Sequence, residues 1–115
     1  MKWVVAIVRP NRLEVVKEAL GQQGFHGMTV TDVQGVGRQR GHTEVYRGHE
    51  YQVDLITKVK VELAVPDEQV ETVIELLVGV GRSGEAGQIG DGKIFVLPLD
   101  AVTRIRTGES GDAAL

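Results

Sequence analysis

The chain of 115 residues contains no cysteine. Disulfides, thiolate catalysis and cysteine-based zinc sites are therefore excluded, and stability has to come from packing or from association with further copies. A cytoplasmic setting is expected. The chain also lacks a strong excess of charge: its formal net charge of −3 gives no electrostatic reason to expect direct contact with nucleic acid or an anionic membrane. Its basic residues must act locally. No apolar run near the start approaches the roughly 20 residues of a membrane span. Trp3-Val4-Val5-Ala6-Ile7-Val8 stops at Arg9-Pro10 without a small-residue cleavage site, and a buried strand is expected there.

With 42% hydrophobic and 25% charged residues, the composition is that of an ordinary globular protein, so residues 1–115 are expected to form one domain with its own core. Pro10 punctuates the chain, Asn11 is placed as an N-cap, and Glu14 stands where a capping-box partner would reach back. Leu13, Val16, Ala19 and Leu20 recur at helical spacing, which predicts a helix from Asn11 to about Gln22. Met28 to Gln34 alternates with period two and is rich in β-branched residues, predicting a strand. Lys58 to Val65 alternates polar and apolar residues and predicts another. After Pro66, the residues Val70, Val73, Ile74 and Leu77 follow a helical period, with Asp67, Glu68 and Glu71 in the first turn, where the helix dipole favours negative charge. Lys93 to Leu97 predicts a last strand.

The order strand, helix, strand, strand, helix, strand is two β-α-β halves. It predicts an α+β, ferredoxin-like βαββαβ sandwich, an antiparallel sheet with both helices on one face. Trp3, Val5, Ile7 and Ala64 are expected on the other face, and an apolar sheet face without a covering layer predicts oligomerisation. Between Gly35 and about Asp54 the chain is rich in glycine, histidine and arginine with few aliphatic residues, so a long exposed loop is expected, of the kind that binds partners.

The chemistry concentrates in Gly87-Gln88-Ile89-Gly90-Asp91-Gly92-Lys93-Ile94-Phe95 and Arg104-Ile105-Arg106-Thr107-Gly108-Glu109. Closely spaced turn-forming residues let backbone N–H groups converge on one anion, and a lysine with two arginines supplies the compensating charge. That is phosphate-binding chemistry. Gly87, Gly92 and Lys93 nearly spell a P-loop, but Ile94 replaces the magnesium-holding Ser or Thr and a strand follows where a helix should, so a P-loop NTPase is rejected. No general base or nucleophile accompanies the loop apart from Asp91, which argues against an enzyme. His42 and His49 lack the partners of a metal site and are read as solvated. Lys58 and Glu62, four apart on a strand, share a face and read equally well as a charge ladder.

Five segments together resemble the nitrogen-regulatory PII signal-transduction proteins, in the family's order and over essentially Met1 to Leu115. They are Gly27-Met28-Thr29-Val30-Thr31, Gly35-Val36-Gly37-Arg38-Gln39-Arg40-Gly41-His42-Thr43-Glu44, Tyr46-Arg47-Gly48-His49-Glu50-Tyr51, Gly90-Asp91-Gly92-Lys93-Ile94-Phe95 and Arg104-Ile105-Arg106-Thr107-Gly108-Glu109. The resemblance implies a non-enzymatic homotrimer that binds ATP or ADP between subunits and senses 2-oxoglutarate. Its functional segments would be a target-binding loop at about 37–55, a phosphate-binding loop at about 82–93 and a C-terminal segment at about 104–115.

Carried over by the resemblance, Gly90, Asp91, Gly92 and Lys93 would wrap the phosphates, with Arg104, Arg106 and Arg38 adding charge. Ile7, Gly35, Gly37 and Ala64 would line the nucleotide pocket, with Thr29 and Glu62 at its edge. Gln39 would ligate the Mg²⁺ that bridges ATP and 2-oxoglutarate, and Lys58 would pair with a 2-oxoglutarate carboxylate. Tyr51 matches the tyrosine that relatives have nucleotidylylated, with Tyr46 as competitor. The implied partners are an ammonium channel, nitrogen-metabolism enzymes and a modifying transferase, with no direct nucleic acid and the membrane reached only through a channel.

One segment departs from the family pattern. Either Ser83-Gly84 stands for the usual Thr-Gly with Glu85-Ala86-Gly87 inserted, or Ala86-Gly87 aligns there. Glu85 adds negative charge near a polyphosphate in either alignment, so an altered ATP/ADP preference is one expectation. A PII-like relative retuned to another small ligand and a weak nucleotide hydrolase are the competing functions.

Overall fold

In a computed structural model, the backbone is described for residues 1–36, 43–46, 49–52 and 55–115, and side-chain surroundings for 1–36 and 55–115. The elements are β1 (Lys2–Val8), α1 (Leu13–Gln22), β2 (Met28–Val36), β3 (Thr43–Tyr46), β4 (His49–Gln52), β5 (Leu55–Val65), α2 (Val70–Gly81) and β6 (Gly92–Pro98). Strands β2-β5-β1-β6 form one antiparallel sheet in that order, the ferredoxin-like arrangement. Alternation decides which side chains reach the core. Val4, Ala6 and Val8 of β1 and Val59, Val61, Leu63 and Val65 of β5 are buried with Val16 and Leu20 of α1 and Val73 and Leu77 of α2. Their alternate neighbours Trp3, Val5, Ile7 and Ala64 are half-buried on the opposite, helix-free face, as the alternation requires.

Leu20 is fully buried in this cluster. Leu20→Ala is expected to lower the unfolding free energy by about 3 kcal/mol, the usual cost of a core leucine cavity. Urea denaturation measures it, and a loss below about 1 kcal/mol would mean the site collapses around the smaller side chain.

Three details differ from the sequence expectations. Asn11 does not cap a helix: Pro10–Arg12 form a 3₁₀ turn with no side-chain cap, and the Arg12 N–H donates to the Arg9 carbonyl (3.0 Å) before α1 starts at Leu13. Pro10 presets the turn, so backbone rather than side chain closes it. Second, α2 continues past Leu77, the last residue of the period read from the sequence, through Gly79 to Gly81, because its packed apolar stripe outweighs the poor helix propensity of glycine. Third, the expected loop carries two short paired strands, with Thr43 opposite Gln52 and Tyr46 opposite His49. Thr43, Val45, Tyr46 and Tyr51 supply β-prone residues too closely interrupted to read as a period.

The end of α1 falls at Gln22, where the sequence predicts it. Gly24 takes φ +89°, its N–H donates to Gly21 O (3.0 Å), and the Phe25 N–H donates to Leu20 O (2.9 Å). This is a Schellman stop that returns Phe25 to the core.

Candidate functional site

Strand register gathers the expected ligand residues. Ile7 lies opposite Lys60 on one side and Lys93 on the other, Glu62 opposite both Val5 and Thr29, and Ala64 opposite Trp3. Cross-strand partners share a face, and residues two apart on one strand share it too. Ile7, Thr29, Gly35, Lys58, Glu62, Ala64 and Lys93 therefore all belong to the helix-free face. Lys60 joins them and pairs with Glu62 at 3.2 Å. Sequence reading passed over Lys60 because a lysine alternating along a strand carries no signal of its own.

The segment from Arg82 to Lys93 folds over the end of this face. Gly84, Gly87, Gly90 and Gly92 all take positive φ, from +70° to +110°. At Gly92 a Cβ would sit 1.7 Å from the Ile7 carbonyl oxygen, so the loop backbone lies directly on β1 beside an expected pocket residue. Asp91 organises the rest. Its Oδ2 accepts the Ser83 N–H at 2.9 Å and the Gln88 N–H at 2.8 Å, and its Oδ1 accepts Arg9 Nε at 2.9 Å. The other arm of Arg9 donates to Ile89 O at 2.9 Å. Burial works to raise the Asp91 pKa, but the Ser83 and Gln88 N–H groups and Arg9 outweigh it, holding the carboxyl well below the usual carboxylate range.

Ser83 and Gln88 thus meet at one oxygen, and residues 84–87 form a turn bracketed between them. Glu85-Ala86-Gly87, the stretch that one of the two alignments treats as inserted, lies within this turn. Arg82 lies along the turn, donating to Glu85 O at 3.3 Å. The Glu85 side chain is exposed.

Lys58 is buried on the helix-free face, and its ammonium donates to Gly90 O. Burial and then the neighbouring Arg9 push its pKa down, with Asp91 partly opposing them. Sequence reading missed Arg9, the residue that links these groups. It directly follows β1, and Pro10 holds its backbone extended (φ −65°, ψ 142°), so the side chain meets a loop more than 80 positions away.

Arg104 is held in its own segment, donating to Glu109 Oε1 (2.9 Å) and Ala113 O (3.1 Å). Arg106 is exposed. Gly37, Arg38 and Gln39 lie outside the described residues. Tyr46 and Tyr51 lie on β3 and β4, with their side-chain surroundings outside the description. Among the described residues no group of three or more His, Cys, Asp or Glu could hold a metal ion. Also among these residues, no helix is long and apolar enough to cross a membrane.

A family model described as nitrogen regulatory protein P-II matches residues 1–109. The chain belongs to the P-II family. It is 56% identical over 115 residues to nitrogen regulatory protein P-II 2 of Methanothermobacter thermautotrophicus, covering 100% of this chain and 97% of that one. It is 53% identical to nitrogen regulatory protein P-II 1 of Escherichia coli K12 and 52% identical to nitrogen regulatory protein P-II of Klebsiella oxytoca, with both chains covered completely in each case. These relatives are named as regulators, and membership of the P-II family makes nitrogen regulation the general role of this chain. The sheet residues expected from the P-II resemblance share one face, and the 82–93 segment lies at the end of it that carries Ile7, Lys58 and Lys93.

Proposed function

We propose that the chain is a nitrogen-regulatory signal transducer that binds ATP or ADP together with Mg²⁺ and 2-oxoglutarate. The observation that carries this reading is that Ile7, Lys58 and Lys93 lie at the end of one sheet face beside a loop of positive-φ glycines, while Thr29, Gly35, Glu62 and Ala64 share that face. Apolar Ile7 and Ala64 suit a base, the Thr29–Glu62 pair offers hydrogen-bonding edges, and Lys93 faces where phosphates would follow. A divalent ion would be held by the nucleotide and Gln39. The ion would hold phosphate and dicarboxylate oxygens together.

Phe95 and Leu97 lie opposite Val5 and Trp3 on the same face, with relative exposures of 48% and 45%. This apolar surface supports a homotrimer with the nucleotide between subunits, Arg104 and Arg106 of one copy supplying charge to the site of the next. Ligand state would reach an ammonium channel, a nitrogen-metabolism enzyme or a modifying transferase through the loop at about 37–55, with Tyr51 as the acceptor of modification. Such a regulator would work in the cytoplasm. Asp91 supports regulation over hydrolysis, because a carboxylate held below its ordinary pKa by three donors is a weak general base.

Calorimetric titration tests the reading. 2-Oxoglutarate is expected to bind only once ATP and Mg²⁺ are present, because the metal–nucleotide complex forms part of its site. ATP binding without any 2-oxoglutarate response would favour a relative retuned to another ligand. Absence of both would overturn the proposal.

A further inference from the structure

Asp91 presents a carboxylate in the middle of a loop expected to receive a polyphosphate. Two roles suit such a residue: a ligand of the metal or nucleotide, or a support for the groups that are. Its hydrogen bonds decide between them. Its own N–H donates to Gln88 O (3.1 Å), which removes its backbone donor from service to a phosphate. Oδ2 collects the Ser83 and Gln88 N–H groups, and Oδ1 is closed by Arg9. A carboxylate pointing at phosphate oxygens would repel them, whereas one turned inward against a guanidinium is compensated. Gly87 fits the same arrangement: a Cβ there would lie 3.1 Å from Arg82 Cγ and 3.2 Å from Asp91 Oδ2.

We propose that Asp91 is a positioning residue of the nucleotide site: it ties off the 84–87 turn at one oxygen, anchors Arg9 at the other, and touches neither phosphate nor metal. The inference rests on the nucleotide reading given above. Its consequence is that the 84–87 turn leaves Gly90 to Lys93 in place, because both ends of the excursion return to the same atom. Glu85 then projects from a turn whose conformation is separate from the phosphate-facing backbone.

The test pairs a ligand-free readout with a ligand-dependent one. In the unaltered protein, the Ser83 and Gln88 amide protons should be shifted downfield, and Asp91→Asn should return at least one of them toward ordinary values. ATP titrated calorimetrically with and without Mg²⁺ should bind Asp91→Asn about tenfold more weakly in both conditions, as expected for loss of charge-assisted hydrogen bonds that hold the loop. The ratio of the two affinities should stay unchanged. A loss confined to the Mg²⁺ condition would make Asp91 a metal ligand and overturn the proposal, as would unchanged affinity in both. If Asp91→Asn fails to fold, Asp91→Glu replaces it in the same titration, since it keeps the charge but displaces the oxygens. If the unaltered protein binds no ATP, the nucleotide reading fails and the positioning role fails with it. The two amide shifts, which need no ligand, then report only whether the tie itself exists.

Discussion

Gly92→Ala should be the most damaging of the glycine substitutions in the phosphate-binding segment, preventing accumulation of folded protein or costing more than about 3 kcal/mol. Two effects add. At φ +110° a side chain is strained by roughly 1–3 kcal/mol, and the new Cβ would meet the Ile7 carbonyl oxygen at 1.7 Å. Backbone cannot rotate away as a flexible side chain can, so relief requires β6 to separate from β1 at the Gly92–Val8 pair. Gly84→Ala is the control. It has φ +70° and no atom within 4 Å of its Cβ, so only the left-handed penalty of roughly 1–2 kcal/mol applies. Urea denaturation of both variants checks the contrast. Equal losses would mean that the close approach to Ile7 contributes nothing and that conformation alone selects glycine at position 92.

The same contrast shows what the sequence could and could not disclose. Gly92 followed by Lys93 is visible as a turn with a cation, but the reason for glycine is a contact with a strand more than 80 positions earlier, and no local pattern records that. Helices α1 and α2 were legible because their apolar residues recur at the period that buries them: Val16 and Leu20, and Val73 and Leu77, are the residues that reach the core. Their starts were less legible. Asn11 looked like a side-chain cap, yet Pro10 and the Arg9 carbonyl complete the first turn with backbone alone.

Strands β3 and β4 escaped because four residues are too few to show alternation, and charged and histidine residues interleave with the β-prone ones. In the candidate site, the glycines, Lys93 and Lys58 could be identified by residue type and by resemblance to the P-II family. Arg9, Ser83 and Gln88 could not, since their role exists only once Asp91 lies between them, 82 positions from Arg9 and 8 from Ser83.

Lys58→Met is expected to separate the two proposed ligands. The methionine keeps much of the lysine stem, so the packing of a side chain only 8% exposed is largely preserved while the charge is lost. ATP with Mg²⁺ should bind within about threefold of the unaltered protein. 2-Oxoglutarate should lose about 100-fold or more in affinity, since removing one member of a buried charge pair costs roughly 2–5 kcal/mol.

The pH dependence has a definite sign. Burial, then Arg9, lowers the Lys58 pKa against the partial opposition of Asp91, so the folded state disfavours the ammonium. That destabilisation is fully present below the folded pKa and fades as pH rises toward the unfolded lysine value of about 10.4. The protein should therefore gain stability from this group over the alkaline window, a gain absent in Lys58→Met. Ligand binding runs the other way. A carboxylate needs the charged ammonium and must displace its hydrogen bond to Gly90 O, so 2-oxoglutarate affinity should fall as pH rises through the lowered Lys58 pKa, below the range where an ordinary lysine titrates. Titrations from about pH 7 to about pH 10 read this directly. Retained 2-oxoglutarate affinity in Lys58→Met would remove Lys58 from the carboxylate site, and an affinity flat up to the ordinary lysine range would show that the lysine is not desolvated where the ligand binds.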